Sequence, residues 1–254
     1  MFPSTRHSIL SAVRSTDVDV RARGLEALAR AYWKPVYKYV RVRWGAAPED
    51  AEDLTQEFFG RALAQDTFAR YDARQARFRT FLRLCLDGVV ANELKAARRL
   101  KRGGGARAVP LDALDFAGAE GEVRRQDVPQ GVDPEEYFRR EWVRSLFGLA
   151  VETLRAHCAS AGKHVHFELF ERYDLGAPDG ATGDAGTSDG AEPPRLTYAQ
   201  LARQYGIPVT QVTNHPAYAR REFRRIILEQ LRELSGSDEE FRAEARELLG
   251  VEAT

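Results

Sequence analysis

Apolar residues recur at three- and four-residue steps along almost every ordered stretch of this chain, and no alternating run is bounded well enough to make a set of strands. Leu25, Leu28, Tyr32, Val36 and Tyr39 form one such stripe, the buried face of an amphipathic helix. Pro35 falls inside it and is expected to kink or restart the helix, and Gly45 to end it. Pro48 suits the first turn of the next helix, where Glu49, Asp50, Glu52 and Asp53 sit at the positive end of its dipole. That helix continues through Leu54, Phe58, Ala62 and Leu63. Phe78, Phe81, Cys85, Val89 and Leu94 line a third helix, which ends in Arg98-Arg99-Leu100-Lys101-Arg102 and is broken by Gly103-Gly104-Gly105. Tyr137, Trp142, Leu146, Leu149 and Leu154 mark another, and Phe167 to Tyr173 a further one. The expected fold class is all-α.

Composition divides the chain. Residues 103–133 are rich in Gly, Ala, Asp and Pro and have little periodicity. They are expected to be a flexible linker with at most a short helical turn around Leu111 to Phe116. Two small helical domains follow from this break, 1–102 and 134–254. Within the second, 176–194 has the composition of a disordered surface loop. Ser237 and Glu240 form a capping-box pattern that opens a C-terminal helical tail.

Several functional classes fall away. Lys+Arg and Asp+Glu both number 38, so any attraction to nucleic acid must come from local segregation of sign. Cys85 and Cys158 lie far apart in apolar stretches and are expected to be reduced thiols. The first twenty residues hold no continuous apolar core, and no stretch approaches the length of a membrane span. A cytoplasmic protein without membrane association is expected. His157, Cys158, His164, His166 and Glu168 are rich in metal-ligand types, but their spacing fits no zinc pattern. No catalytic set, metal site or cofactor is expected, and the chain is not read as an enzyme.

The most specific local pattern lies between Leu196 and Phe223. Thr197 and Gln200 form a capping box. Ala202, Gly206 and Val212 then supply a small residue at a helix crossing, a glycine for a tight turn, and an aliphatic residue that packs back on the first helix. This is the arrangement of a helix-turn-helix. Its second helix would carry Thr210, Gln211, Thr213, Asn214, His215 and Tyr218, side chains suited to base edges. Arg220, Arg221, Arg224 and Arg225 follow, suited to phosphates. An ordinary helical hairpin fits the same spacing, and Pro216 sits awkwardly in a recognition helix.

Two further faces carry charge. Glu49, Asp50, Glu52, Asp53 and Glu57 are interleaved with Leu54, Phe58 and Phe59; they suit either a solvated helix start or a docking face for a basic partner. Arg70, Arg74, Arg77, Arg79 and Arg83 surround Tyr71, Phe78 and Phe81, and Lys95, Arg98 and Arg99 follow. Cations interleaved with aromatics suit a groove for unpaired bases, and equally a solvated basic face over an aromatic core.

Pro48 to Leu63 (PEDAEDLTQEFFGRAL) and Arg77 to Leu86 (RFRTFLRLCL), followed by a basic helix end, resemble the second conserved region of sigma-70 family sigma factors of the extracytoplasmic-function (ECF) type. Leu196 to Val212 (LTYAQLARQYGIPVTQV) and Ala219 to Arg225 (ARREFRR) resemble their fourth region. The resemblance covers Leu25 to Arg102 and Glu141 to Leu249. It implies a promoter-specificity subunit whose partners are promoter DNA and bacterial core RNA polymerase, through the β′ clamp and the β flap. The clamp would be met by Asp50, Glu52, Asp53, Leu54, Gln56, Glu57 and Phe58. The minus-ten strand would be held by Arg74, Arg77, Phe78, Arg79, Thr80, Arg83, Asn92, Lys95, Arg98 and Arg99. The minus-thirty-five duplex would be read by Thr210, Gln211, Thr213, Asn214, His215, Tyr218, Arg220, Arg221 and Arg224. The linker would thread toward the RNA exit path, and an anti-sigma factor or a regulatory kinase would be the kind of controlling partner implied. Asp87-Gly88 stands where family members often carry Arg-Asn, and Asn92 where they often carry Asp. Asp87 is expected to repel phosphate, and Gly88 to weaken its helix by about 1 kcal/mol. These departures, with Pro216, favour an alternative: a sigma-like DNA-binding regulator or adaptor that does not itself open promoters.

Overall fold

A computed structural model describes residues 9–65, 67–97, 114–126, 131–176 and 198–250. The fold is all-α: α1 (Ile9–Val13), α2 (Val18–Arg43), α3 (Pro48–Ala64), α4 (Phe78–Ala97), α5 (Phe116–Arg125), α6 (Pro134–Ser160), α7 (His164–Asp174), α8 (Tyr198–Tyr205), α9 (Val209–Leu234) and α10 (Asp238–Leu249), with a 3-10 turn at Thr67–Arg70. Two compact units are formed. One comprises Met1–Leu149 with Leu228–Thr254, the other Ala150–Ile227. The divisions therefore fall inside α6 and α9 rather than at the composition break of 103–133.

The first unit is built around α2. Leu25, Leu28, Tyr32, Val36 and Tyr39 are all buried, as their spacing requires. The helix does not restart at Pro35: α2 runs unbroken from Val18 to Arg43. A proline at this position cannot donate to the carbonyl of Ala31. Ser145 Oγ on α6 donates to that oxygen instead, at 3.3 Å, so the polar group is not left stranded. Asp17 caps the start of α2 by accepting from the backbone of Asp19 and Val20. The helix closes at Trp44, with Gly45 beyond it. Pro48 opens α3 as expected.

On α4 the fully buried positions are Phe78, Leu82, Leu86 and Val90. Phe81, Cys85 and Val89, expected to line the core, are half-buried and flank this stripe, while Leu84 and Leu94 are exposed. Burial pushes the half-buried Cys85 thiol above its usual pKa, and does the same to the buried Cys158; neither is in a disulfide.

The expectation of a flexible linker is corrected where the structure describes it. Residues 116–125 form α5, packed on α2. Phe116 lies edge-on between Trp33 and Tyr37, with ring centroids at 5.1 and 5.3 Å. Glu120 accepts from Tyr37 Oη at 2.9 Å, from Arg41 at 2.7 and 2.8 Å, and from Arg124 at 3.1 Å. Composition conceals this helix because half of it is alanine, glycine and valine without a regular apolar stripe; Phe116, the buried Ala119 and the two glutamates pack it on α2. Residues 98–113 and 127–130 lie outside the described residues.

Glu120 gives a pH test of this docking. The Arg41 guanidinium, helped by Tyr37 and Arg124, holds its carboxyl at about 2 instead of 4.5. A depressed carboxyl contributes stability that is complete above the ordinary carboxylate pKa and is lost as pH falls through the folded value. The stability gap between wild type and Glu120→Gln should therefore shrink by roughly 2–3 kcal/mol as pH drops from about 5 to about 2. Denaturant titrations across that window measure it, and a gap independent of pH would mean that Glu120 is not held as described.

Candidate nucleic-acid and partner-binding faces

In the second unit, α7, α8 and α9 meet at a small core of Leu169, Ala202 and Val212, with Val165, Tyr173, Tyr205 and Ile207 packed around it. Ala202 and Val212 thus hold the positions their spacing assigns. Gly206 has φ +64°, the left-handed conformation the turn needs. Ile207 N donates to Ala202 O at 3.0 Å, closing α8, and Gln211 N donates to Pro208 O at 2.9 Å at the start of α9. Pro216 does not break α9; its ring is buried on the same side as Val212 and Ala219, one turn from each. Thr197, on which the expected capping box rests, lies outside the described residues, as do 177–194, which make up nearly all of the loop expected at 176–194.

The start of α9 presents Thr210, Gln211 and Asn214 outward, and Arg220, Arg221, Arg224 and Arg225 are exposed further along. Arg220 is paired with Asp174 at 2.9 Å and Arg225 with Glu222 at 2.9 Å. Thr213 belongs to α9, but its side chain lies outside what is described. His215 and Tyr218, expected beside them on the reading face, turn toward neighbouring helices. The His215 ring stacks on His166 at 3.8 Å. Tyr218 Oη lies 3.2 Å from His157 Nε2, and Lys163 Nζ sits 3.7 Å above the Tyr218 ring. Burial, His215 and Lys163 push the His166 pKa down, and burial alone lowers that of His215. His166 and His215 are therefore packing residues. Among the described residues, no three His, Cys, Asp or Glu side chains converge as a metal-binding group.

On α3, Glu49, Asp50 and Asp53 are exposed, and Glu52, Leu54, Gln56 and Glu57 are half-buried. Glu57 pairs with Arg61, which also reaches Glu93 on α4. Phe58 is fully buried and packs edge-on against Phe59 at 5.0 Å and Phe68 at 6.4 Å, so it supports the acidic face from beneath and is not on it.

The expected strand-binding residues of α4 and the turn before it fall into three groups. Arg74, Asn92 and Lys95 are exposed. Arg77, Arg79, Thr80 and Arg83 are already engaged: Arg77 with Glu244 and Glu247, Arg79 with Glu244, and Thr80 and Arg83 with Glu135. Phe78 is a core residue. Its ring is fully buried against Tyr32, Phe68, Tyr71 and Phe81 and offers no surface to a base. Arg98 and Arg99 lie outside the described residues.

Asp87, expected to repel phosphate, has a structural role. It accepts from Tyr39 Oη at 3.0 Å, Trp44 Nε1 at 3.1 Å and Arg83 at 2.8 Å, tying α4 to the end of α2 with its charge matched by Arg83.

No helix among the described residues is long and apolar enough to cross a membrane. Compared with known proteins, the chain matches no family model, and no curated protein or solved structure is significantly similar to it.

Proposed function

We propose that this chain is a DNA-binding promoter-specificity subunit of the ECF sigma type, which recruits bacterial core RNA polymerase and does no chemistry of its own. The observation that carries the reading is the helix-turn-helix of α8 and α9. Its Leu169–Ala202–Val212 core and left-handed Gly206 leave Thr210, Gln211 and Asn214 outward at the start of the second helix, ahead of four exposed arginines. The start of a recognition helix supplies base contacts, and arginines beside it supply phosphate contacts. The exposed acids of α3 are the second support: Asp50 and Asp53 offer a basic protein partner charge without disturbing the core beneath.

A second reading has its own observation. Arg77, Arg79 and Arg83 are occupied by carboxylates, which favours a regulator that binds duplex DNA through α9 and does not hold an opened strand. Gel filtration with core polymerase separates the two. The wild-type chain should co-migrate with core polymerase, and Asp50→Ala/Asp53→Ala should not, with duplex binding unchanged in the variant. A wild-type chain that stays free of polymerase yet binds duplex DNA would overturn the sigma reading and leave the regulator.

A further inference from the structure

Three of the five acidic side chains of α10 share one face of the helix. Glu240, Glu244 and Glu247 recur at four- and three-residue steps on one face, and all three engage residues at the start of α4. Glu240 Oε1 accepts from the backbone N of Phe78 at 2.6 Å, at the positive end of α4, and its Oε2 accepts from Tyr71 Oη at 2.8 Å. Glu244 Oε1 accepts from Arg79 Nε at 2.8 Å and lies 3.2 Å from Arg77. Glu247 accepts from Arg77 at 2.6 Å and from Arg139 at 3.0 Å. Glu240 also diverts from its expected role. Ser237 caps α10 by accepting from Glu240 N at 3.1 Å, but the Glu240 carboxylate turns away to Gly236 N, Phe78 N and Tyr71.

The groups this row occupies, two arginines and the amide at a helix N-terminus, are those that bind a phosphate. Stability alone does not account for the choice of residues, since replacing a buried ion pair such as Arg79–Glu244 by apolar residues of the same volume is often neutral or stabilising. A charged seam differs in being exchangeable: when another anion replaces the carboxylates, the arginines stay satisfied. The seam is also imperfect, because Glu244 Oε2 is buried without a hydrogen-bond donor among the described residues.

We propose that α10 is a built-in occupant of the strand-binding face, its three carboxylates standing where nucleic-acid phosphates bind Arg77, Arg79 and the first turn of α4. Single-strand binding then requires α10 to leave, and the chain as folded is closed to a strand. This rests on the reading of Arg77 to Arg83 as strand-binding residues. It also accounts for why Arg77 and Arg79 are paired in the free chain.

The test uses the full chain and a labelled, A/T-rich single-stranded oligonucleotide, with binding read by anisotropy. Glu244→Gln/Glu247→Gln, which keeps size and one acceptor oxygen on each side chain but removes the competing charge, should bind at least ~10-fold more tightly than wild type. The gain should fade with added salt and vanish when Arg77→Ala/Arg79→Ala is introduced as well. Gly236→Ala provides an uncharged route: a Cβ there would stand 2.4 Å from Tyr71 Cε1, so either the turn leading into α10 or the Tyr71 ring that donates to Glu240 must shift, and the same gain should appear. In the wild type, saturating strand should raise amide exchange in α10 and leave α2 protected, a readout that needs no substitution. If the wild-type chain binds the strand as tightly as both variants and α10 stays protected, the inference fails while the strand-binding reading stands. If neither wild type nor variants bind the strand, alone or with core polymerase, the strand-binding reading itself fails.

Discussion

Lys38→Met should lower the unfolding free energy by about 3 kcal/mol, the lower end of the range for breaking a buried ion pair. The Lys38 side chain is 2% exposed and that of Glu141 is 0% exposed. Lys38 Nζ donates to Glu141 Oε2 at 2.8 Å and to Glu122 Oε2 at 2.5 Å, so one ammonium joins α2, α5 and α6. Methionine fills a similar volume but leaves the Glu141 carboxylate buried with, among the described residues, only Gln126, at 3.1 Å, and Arg144 as partners. Those two remaining donors place the loss at the low end. Removing both charges should be far milder: Lys38→Met/Glu141→Leu should recover most of the loss, because no group is left buried without its partner. Denaturant unfolding of the two single variants and the double gives the coupling directly. A loss under about 1 kcal/mol for Lys38→Met would mean that water reaches this pair and that α6 is not sealed against α2 there.

The legible and illegible parts of this fold differ in what determines them. Helices α2, α3, α6 and α9 can be located from the sequence because each buries a stripe wide enough to set a 3.6-residue period. The helix-turn-helix core is legible for a related reason. Its three positions have steric demands that only a small residue, a glycine and an aliphatic residue meet in that order. On α4 the buried register lies one residue away from the expected one, at Leu82, Leu86 and Val90 in place of Phe81, Cys85 and Val89. That helix is apolar on nearly two faces, and only the neighbours decide which is innermost. That the helix does not restart at Pro35 is illegible because the lost donor is supplied by Ser145, more than a hundred residues away. The pairing of the charged and polar side chains is illegible for one common reason. Composition shows that Arg77, Arg79 and Asp87 are charged, but not that Glu244, Glu247, Tyr39 and Trp44 are folded against them. Residue type alone puts His215 and Tyr218 on the reading face, yet helical phase turns them toward His166 and His157. The docking of α10 on α4 joins segments some 160 residues apart, and no local pattern announces it.

Phe78 is where the two descriptions of the basic face part most sharply. An aromatic that stacks an unpaired base would be exposed, and its loss would weaken strand binding with little effect on stability. Phe78 is fully buried and touches four other aromatic rings, the nearest being Tyr71 at 5.1 Å and the next Tyr32 and Phe68 at 5.7 Å. Phe78→Ala should therefore cost about 3–5 kcal/mol, the transfer free energy of the ring plus the cavity it leaves. Phe78→Leu keeps most of the volume and should cost on the order of 1 kcal/mol. The leucine variant is the decisive one, since it stays folded while losing the aromatic face. Its single-strand affinity, measured in the Glu244→Gln/Glu247→Gln background so that α10 does not compete, should equal that of its parent. A selective loss of strand binding in Phe78→Leu, with stability barely changed, would mean that the ring leaves the core to meet a base. The basic face would then work by opening the aromatic cluster, whereas the packing around Phe78 points to a face that works through its arginines, with the cluster as their fixed support.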